Sequence, residues 1–141
     1  MINDDLKLTG KLAIALNGKT VQEVDNLVVT DGKEYVASRM KDATATAMSH
    51  MAIGSGTTAA AASQAALVSE LGRVNVTSTN VSGAVVTYVA TFGAGTGTGA
   101  VTEAAILNAS SSGDMLCRTV FSVVNKGSAD SMTITWTVTV S

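Results

Sequence analysis

The chain has no proline, one cysteine, one histidine and little charge. Without proline, the turns have to be built from glycine, asparagine, aspartate and serine, which reach the required backbone angles for other reasons. A lone cysteine, Cys117, rules out an intrachain disulfide, and the habit of cysteine points to a buried strand residue. A lone histidine, His50, excludes a metal centre assembled from several histidines. Neither metal nor cofactor is expected. No stretch approaches the roughly 18 apolar residues of a membrane-spanning helix. The opening MINDDLKLTG lacks a basic stretch followed by an apolar one, so no secretory signal is expected.

Charge is the scarcest commodity. Charged residues make up 14% of the 141 residues, against about 25% in ordinary soluble domains. The nine basic residues are scattered and the net charge is −2. Phosphate neutralisation needs clustered Lys and Arg, so nucleic acid is not an expected partner, and no membrane partner is expected either. A chain of this length fits one domain, residues 1–141, able to bury about two-thirds of its unfolded surface. Small domains normally cover their surface with charge. One that does not has to solvate it with Ser and Thr or bury it against neighbours. The composition therefore points to a homo-oligomer, with a trimer closed by head-to-tail contacts as the expected arrangement.

What is present is β structure. Leu6, Leu8, Leu12, Ile14 and Leu16 share one parity, and Lys7, Thr9 and Lys11 the other, the period-2 signature of a half-buried strand. Asn17-Gly18 is a strong hairpin signal; residues 20–24 return, and 27–30 extend into a further short strand. A short helix is expected over 32–41, with Asp31 and Glu34 as a capping box and Val36 and Met40 as its buried stripe. A strand over 48–53 follows, then a Gly-Ser-Gly turn and a second short helix, with Leu67 and Leu71 inward and Gly72 as its cap. The Ala-rich run 59–66 is alternatively a loop or a surface that another chain covers. From Arg73 the chain reads as strands over 74–81, 84–92, 101–107, 115–125 and 131–140. The fold class expected is mainly β, an antiparallel β-sandwich or barrel-like domain with two short helices. The last strand is the most regular. Met132, Ile134, Trp136, Val138 and Val140 face one way, as core, while Thr133, Thr135, Thr137 and Thr139 face the other and form a candidate assembly face.

One motif suggests chemistry. Gly95 to Ala100 fits G-x-G-x-x-G/A, which cradles a pyrophosphate when a strand precedes it and a helix opens on it. The downstream VTEAAILNASSSGD reads as a strand, the flanking segments as antiparallel, and no P-loop Gly-Lys-Ser/Thr is present. The glycines are expected to form a connection between strands where another backbone approaches closely. Cys117 and His50 fall within expected strands with no orienting acid, so structural roles are expected and no catalytic residue is assigned. Met48 and Met51, beside His50, suit core filling. Asp4, Asp5, Asp25, Asp31, Asp42, Glu103, Asp114 and Asp130 mostly border turns and helix starts, where carboxylates cap backbone N–H groups. Arg73 and Arg118 are candidates for intersubunit ion pairs with Glu70 or Glu103, or are solvated strand arginines.

Four stretches, NLVVTDGKEYVASRM, MSHMAIGSGTTAAAASQAALVSELGR, TYVATFGAGTGTGAVTEAAILNA and MLCRTVFSVVNKGSADSMTITWTVTVS, together cover the chain from about Asp25 to its end. They resemble a family of small structural proteins of tailed bacteriophages, described as head decoration, capsid-associated or tail-fibre proteins. The resemblance implies a non-enzymatic virion component. A capsid decoration (cement) protein on the head exterior, partnered by the major capsid protein and by itself, is the favoured expectation. A tail-fibre, tail-tip or baseplate component is the alternative. The absence of a coiled-coil stalk or repeat, and the few aromatic residues, favour decoration. The family supplies no catalytic or binding residues to carry over.

Overall fold

The computed structural model describes residues 6–41 and 44–141. Nine strands and one helix follow in the order β1 (Leu8–Leu16), β2 (Lys19–Val28), α1 (Thr30–Lys41), β3 (His50–Gly54), β4 (Glu70–Asn75), β5 (Ser78–Ser82), β6 (Val85–Phe92), β7 (Gly99–Leu107), β8 (Met115–Lys126) and β9 (Met132–Val140). The strands form one sheet in the order β4-β3-β7-β8-β2-β1-β9-β6-β5. Every pairing in it is antiparallel. The sheet curls into a half-barrel.

Strand β2 is the joint of the curl. Lys19 to Asn26 pair with β1, while Leu27 and Val28 pair with Arg118 and Cys117 of β8. The separate strand expected over 27–30 is therefore the end of β2, and Thr30 already begins α1. At the other side of the curl, the strand expected over 74–81 is broken at Val76-Thr77. Val76 N–H donates to Ser49 O, next to β3, and Thr77 N–H to Val89 O of β6. The chain thus crosses from one strand group, β4-β3-β7-β8, to the other, β2-β1-β9-β6-β5, and β4 and β5 become the two edges.

The hairpin turns follow the sequence chemistry. Asn17 and Gly18 have φ of 51° and 84°, as a type I′ turn needs. Asn17 also accepts from Ser131 N–H and donates to the Asp130 carboxylate, stitching the β1–β2 turn to the β8–β9 turn.

The core lies between the two strand groups. Leu12, Ile14, Ile134, Trp136, Ala90 and Phe92 come from one; Met51, Ile53, Val101, Ile106 and Cys117 come from the other. β9 has the expected faces: Met132, Ile134, Trp136 and Val138 are buried, Val140 is half-buried, and the threonines between them point outward. Trp136 has no exposed surface, and its indole N–H donates to Asn26 Oδ1 at 2.6 Å. Gly10 makes this bond possible, because a Cβ there would collide with the Asn26 amide.

The structure corrects two helical expectations. Helix α1 starts two residues earlier than expected, and Asp31 accepts from Met115 N–H of β8 at 2.6 Å rather than capping its own helix. Gly32 lies against the Leu116 carbonyl, where a Cβ would clash, so the helix sits directly on β8. Val36 is half-buried, but Met40 is 76% exposed and forms no buried stripe. The second expected helix is absent: residues 55–69 are turns and loop, and Leu71 and Gly72 belong to β4. The reason is the buried ion pair described below, which takes the backbone groups that a helix would use.

Truncating Trp136 to Ala removes a fully buried ring and should cost about 3–5 kcal/mol, whereas Thr135→Ala on the outer face should cost less than about 1 kcal/mol. Urea denaturation midpoints compare them directly. Equal midpoints for the two variants would contradict the assignment of the faces.

Candidate functional site

The outer face of β2, β1, β9, β6 and β5 extends over five neighbouring strands of the sheet. Register places Asn80, Thr87, Thr137, Lys11 and Asp25 in one row across these strands, and Ser78, Val89, Thr135, Ala13 and Glu23 in the next. Lys11 is the one charge among the outward positions of β1, β9, β6 and β5; Glu23 and Asp25 follow on β2. Thr135 is exposed, and Thr133, Thr137 and Thr139 are half-buried. Thr91 and Thr133 hydroxyls lie 2.9 Å apart. A shallow depression of about 500 Å³ runs over this face, lined by Thr9, Lys11, Glu23, Asp25, Thr135, Thr137 and Thr139. The four threonines singled out from the sequence are thus brought together on one side of one strand, and β1 supplies their neighbours. Away from Lys11, Glu23 and Asp25, the hydroxyls and aliphatic groups offer hydrogen bonds and van der Waals contact without the desolvation cost of burying charge.

The other chemistry-bearing residues are not brought together. Cys117 pairs with Ile106 on the core face of β7, whereas His50 pairs with the adjacent Leu107. Successive strand residues face opposite ways, so the thiol and the imidazole lie on opposite sides of the sheet. His50 Nδ1 is instead 2.8 Å from Ser49 Oγ. Burial pushes the Cys117 thiol well above its usual range and the Tyr88 hydroxyl up to about 12, so both stay protonated at neutral pH. Met48 and Met51 are core residues.

The glycine motif is a crossover between strand groups, leading from β6 directly into β7. A strand, not a helix, follows Gly99, and β7 pairs only antiparallel, so the βαβ setting of a pyrophosphate cradle is not what surrounds these glycines. Gly97, at φ 69°, packs against Ile53, and its backbone N lies 2.9 Å from where a Gly72 Cβ would be. This is the close backbone approach expected at such a run. Lys126, itself buried, donates to the Gly93 carbonyl at 2.8 Å and fixes the start of the crossover.

Both arginines pair within the chain, which replaces the intersubunit pairing considered from the sequence. Arg73 meets Glu70 at 2.7 Å and also donates to the Ala109 and Ser112 carbonyls. Arg118 meets Glu103 at 2.9 Å with both side chains fully buried. Glu103 Oε1 accepts from Arg118 Nε, Arg118 Nη2 and Val68 N–H, and Oε2 from Gly56 and Ser69 N–H. Arg118 Nη1 donates to Thr58 O and Gln64 Oε1. Burial alone would raise the Glu103 carboxyl, but three backbone N–H donors and the guanidinium outweigh it and hold it below the ordinary value of 4.5. The pair fixes the 55–69 segment on the sheet. Sequence reasoning placed Glu103 among the turn-bordering acids and offered it to an arginine of another subunit, but missed that the pair is internal and buried. The signal was an opposite charge set inside each of two apolar runs, AVTEAAIL and MLCRTVF.

Among the acids, Asp130 accepts from Gly127 N–H in a turn and Asp114 from Asn108, as expected near turns. Asp4, Asp5 and Asp42 lie outside the described residues. Among the described residues no group of three or more His, Cys, Asp or Glu side chains is arranged to hold a metal, and no helix is long and apolar enough to cross a membrane. No protein-family model, curated protein or solved structure matches this chain.

Replacing Arg118 by Met leaves Glu103 as a buried charge without its cation, and should cost about 3–5 kcal/mol in urea denaturation. Because the folded pKa of Glu103 is lowered, its contribution is complete above the unfolded value and is lost as pH falls through the folded one. The denaturation midpoint should therefore hold from neutral pH to about the ordinary carboxylate range and drop below it. A midpoint that stayed flat into strong acid would contradict this role.

Proposed function

We propose that this chain is a structural subunit of a tailed-phage particle: a decoration protein that binds the major capsid protein on the head exterior and packs against copies of itself. The observation that carries this reading is the outer sheet face. It is lined by hydroxyls, with its charge confined to Lys11 on β1 and Glu23 and Asp25 on β2, and it stands on the most regular strand of the domain. The sequence resemblance to small phage structural proteins points the same way. The two strand groups, facing each other across one core, also suit the sandwich-like or barrel-like packing expected of such a subunit.

A decoration subunit lies across joints between shell proteins and resists pressure from within. Many copies supply that resistance through avidity, so each contact can be modest. A rigid β domain suits the task, because little conformational entropy is lost when it docks. In this reading three copies sit about a local three-fold position, with contacts closing a ring.

The purified chain should cosediment with heads that lack it, and native particles should carry roughly hundreds of copies, all on heads after heads and tails are separated. Thr135→Lys places a charge on the exposed centre of the face and should fold normally while weakening head binding about tenfold or more, since a buried unpaired charge costs several kcal/mol. Recovery of the chain with tails, at a few dozen copies or fewer, would replace this reading by the fibre or baseplate one.

A further inference from the structure

The two edges of the sheet are built differently. Edge strand β4 carries Glu70 and Arg73, paired at 2.7 Å. Arg73 also reaches over the Ala109 and Ser112 carbonyls, and the β3–β4 register shifts at Ile53/Gly54. Charge and a local irregularity are the usual devices that stop an edge from pairing with another chain. Edge strand β5 has none of them. Its five residues, Ser78-Thr-Asn-Val-Ser82, include no charge and no proline, all are exposed, and they pair with β6 without a register shift. One side of such an edge strand turns its free backbone N–H and C=O groups to solvent.

The side chains of β5 are sorted as well. Thr79 and Val81 share a face with Tyr88 and Val86, while Ser78, Asn80 and Ser82 continue the outer hydroxyl face. Val81 is 70% exposed. It stands beside Val86, which borders an apolar groove of about 300 Å³ formed with Leu8, Val36, Met40 and Val140. A strand added at this edge would need apolar residues on one side and hydroxyl or amide residues on the other, and no charge to match. β5 meets that description itself. Antiparallel pairing about a two-fold axis keeps both faces in place, bringing valine and threonine together on one side and serine and asparagine on the other, with no like charges opposed.

We propose that β5 is a self-pairing edge: two copies of this chain join antiparallel through Ser78–Ser82, continuing the sheet from one subunit into the next. A five-residue strand spans about 17 Å, so this contact lies below the roughly 1,200–2,000 Å² of a standard stable interface. It is weak in dilute solution and strengthens where copies are crowded on a surface. Self-pairing at β5 does not require the virion role, and in that role it would link neighbouring subunits laterally.

Disulfide trapping tests it on the intact chain. At a two-fold axis one residue faces, or nearly faces, its own copy, with Cα atoms about 4.5–5.5 Å apart, within the span a disulfide bridges. Cysteine is introduced singly at Thr79, Asn80 and Val81, all exposed; the native Cys117 is fully buried and does not compete. Controls are Val68→Cys, 53% exposed, and Val123→Cys, 51% exposed on β8. Mild oxidation should give covalent dimer at one β5 position at least tenfold faster than at either control, with a steep fall at its neighbours. Adding Val81→Lys to the best-trapping variant at 79 or 80, or Thr79→Lys if position 81 traps best, should reduce trapping about tenfold while leaving the thermal midpoint unchanged. Trapping no faster than the controls, or equal at all three positions, would overturn the proposal. The first of these is also what an edge reserved for a strand of a different protein would give.

Discussion

A carboxylate and a guanidinium with no access to water have to be matched atom by atom, and in this chain that requirement organises the 55–69 segment. Glu103 and Arg118 face each other across β7 and β8, yet the two side chains cannot satisfy one another alone. Glu103 needs three further donors, which come from the backbone at Gly56, Val68 and Ser69. Arg118 needs further acceptors, which come from Thr58 and Gln64. A helix extended over 58–71 would have used the Thr58 carbonyl and the Val68 and Ser69 N–H groups for its own bonds. The cost of leaving a buried charge short of partners exceeds the few tenths of a kcal/mol per residue that alanine's helix preference supplies. The segment therefore folds around the ion pair, and β4 begins where it ends.

The curl of the sheet has equally local causes. β2 is long enough to pair with β1 along most of its length and then with β8 at its end, so one strand serves both groups. The opposite side is drawn in by Val76-Thr77 and by the glycine crossover, whose Gly97 backbone approaches Gly72. Glycine is required there because Gly97 has positive φ and because a side chain would displace Ile53. What resembled a phosphate cradle in sequence is a packing device between strand groups. The scarcity of charge takes on a location too. Two charges are buried against each other, another pair guards β4, and the outer face of β9, β6 and β5 is left to uncharged side chains.

Much of the strand content was legible because alternation is a direct consequence of backbone geometry. Every second residue of β9 is apolar, and those from Met132 to Val138 are buried while the threonines between them are not; the Asn17-Gly18 turn has the positive φ angles its residues accommodate. The candidate threonine face was legible for the same reason. The fate of Met40 was not, because helical spacing identifies a stripe without saying how far along it the sheet extends beneath the helix. Nor was the division of 74–81 into two edge strands, since nothing in RVNVTSTNVS changes character at the corner.

By itself, then, the sequence determined the β class, the orientation of Trp136 and its threonine neighbours, the position of α1 to within two residues, and the want of charge that makes assembly attractive. These depend on periods and compositions read within a few residues. Only the tertiary structure decided that 55–69 is a loop, that Arg73 and Arg118 are satisfied internally, that Cys117 and His50 point apart, and that one sheet edge is guarded while the other is open. Those outcomes depend on which distant residues meet, and in a sheet ordered β4-β3-β7-β8-β2-β1-β9-β6-β5 the decisive neighbours are far apart in the chain.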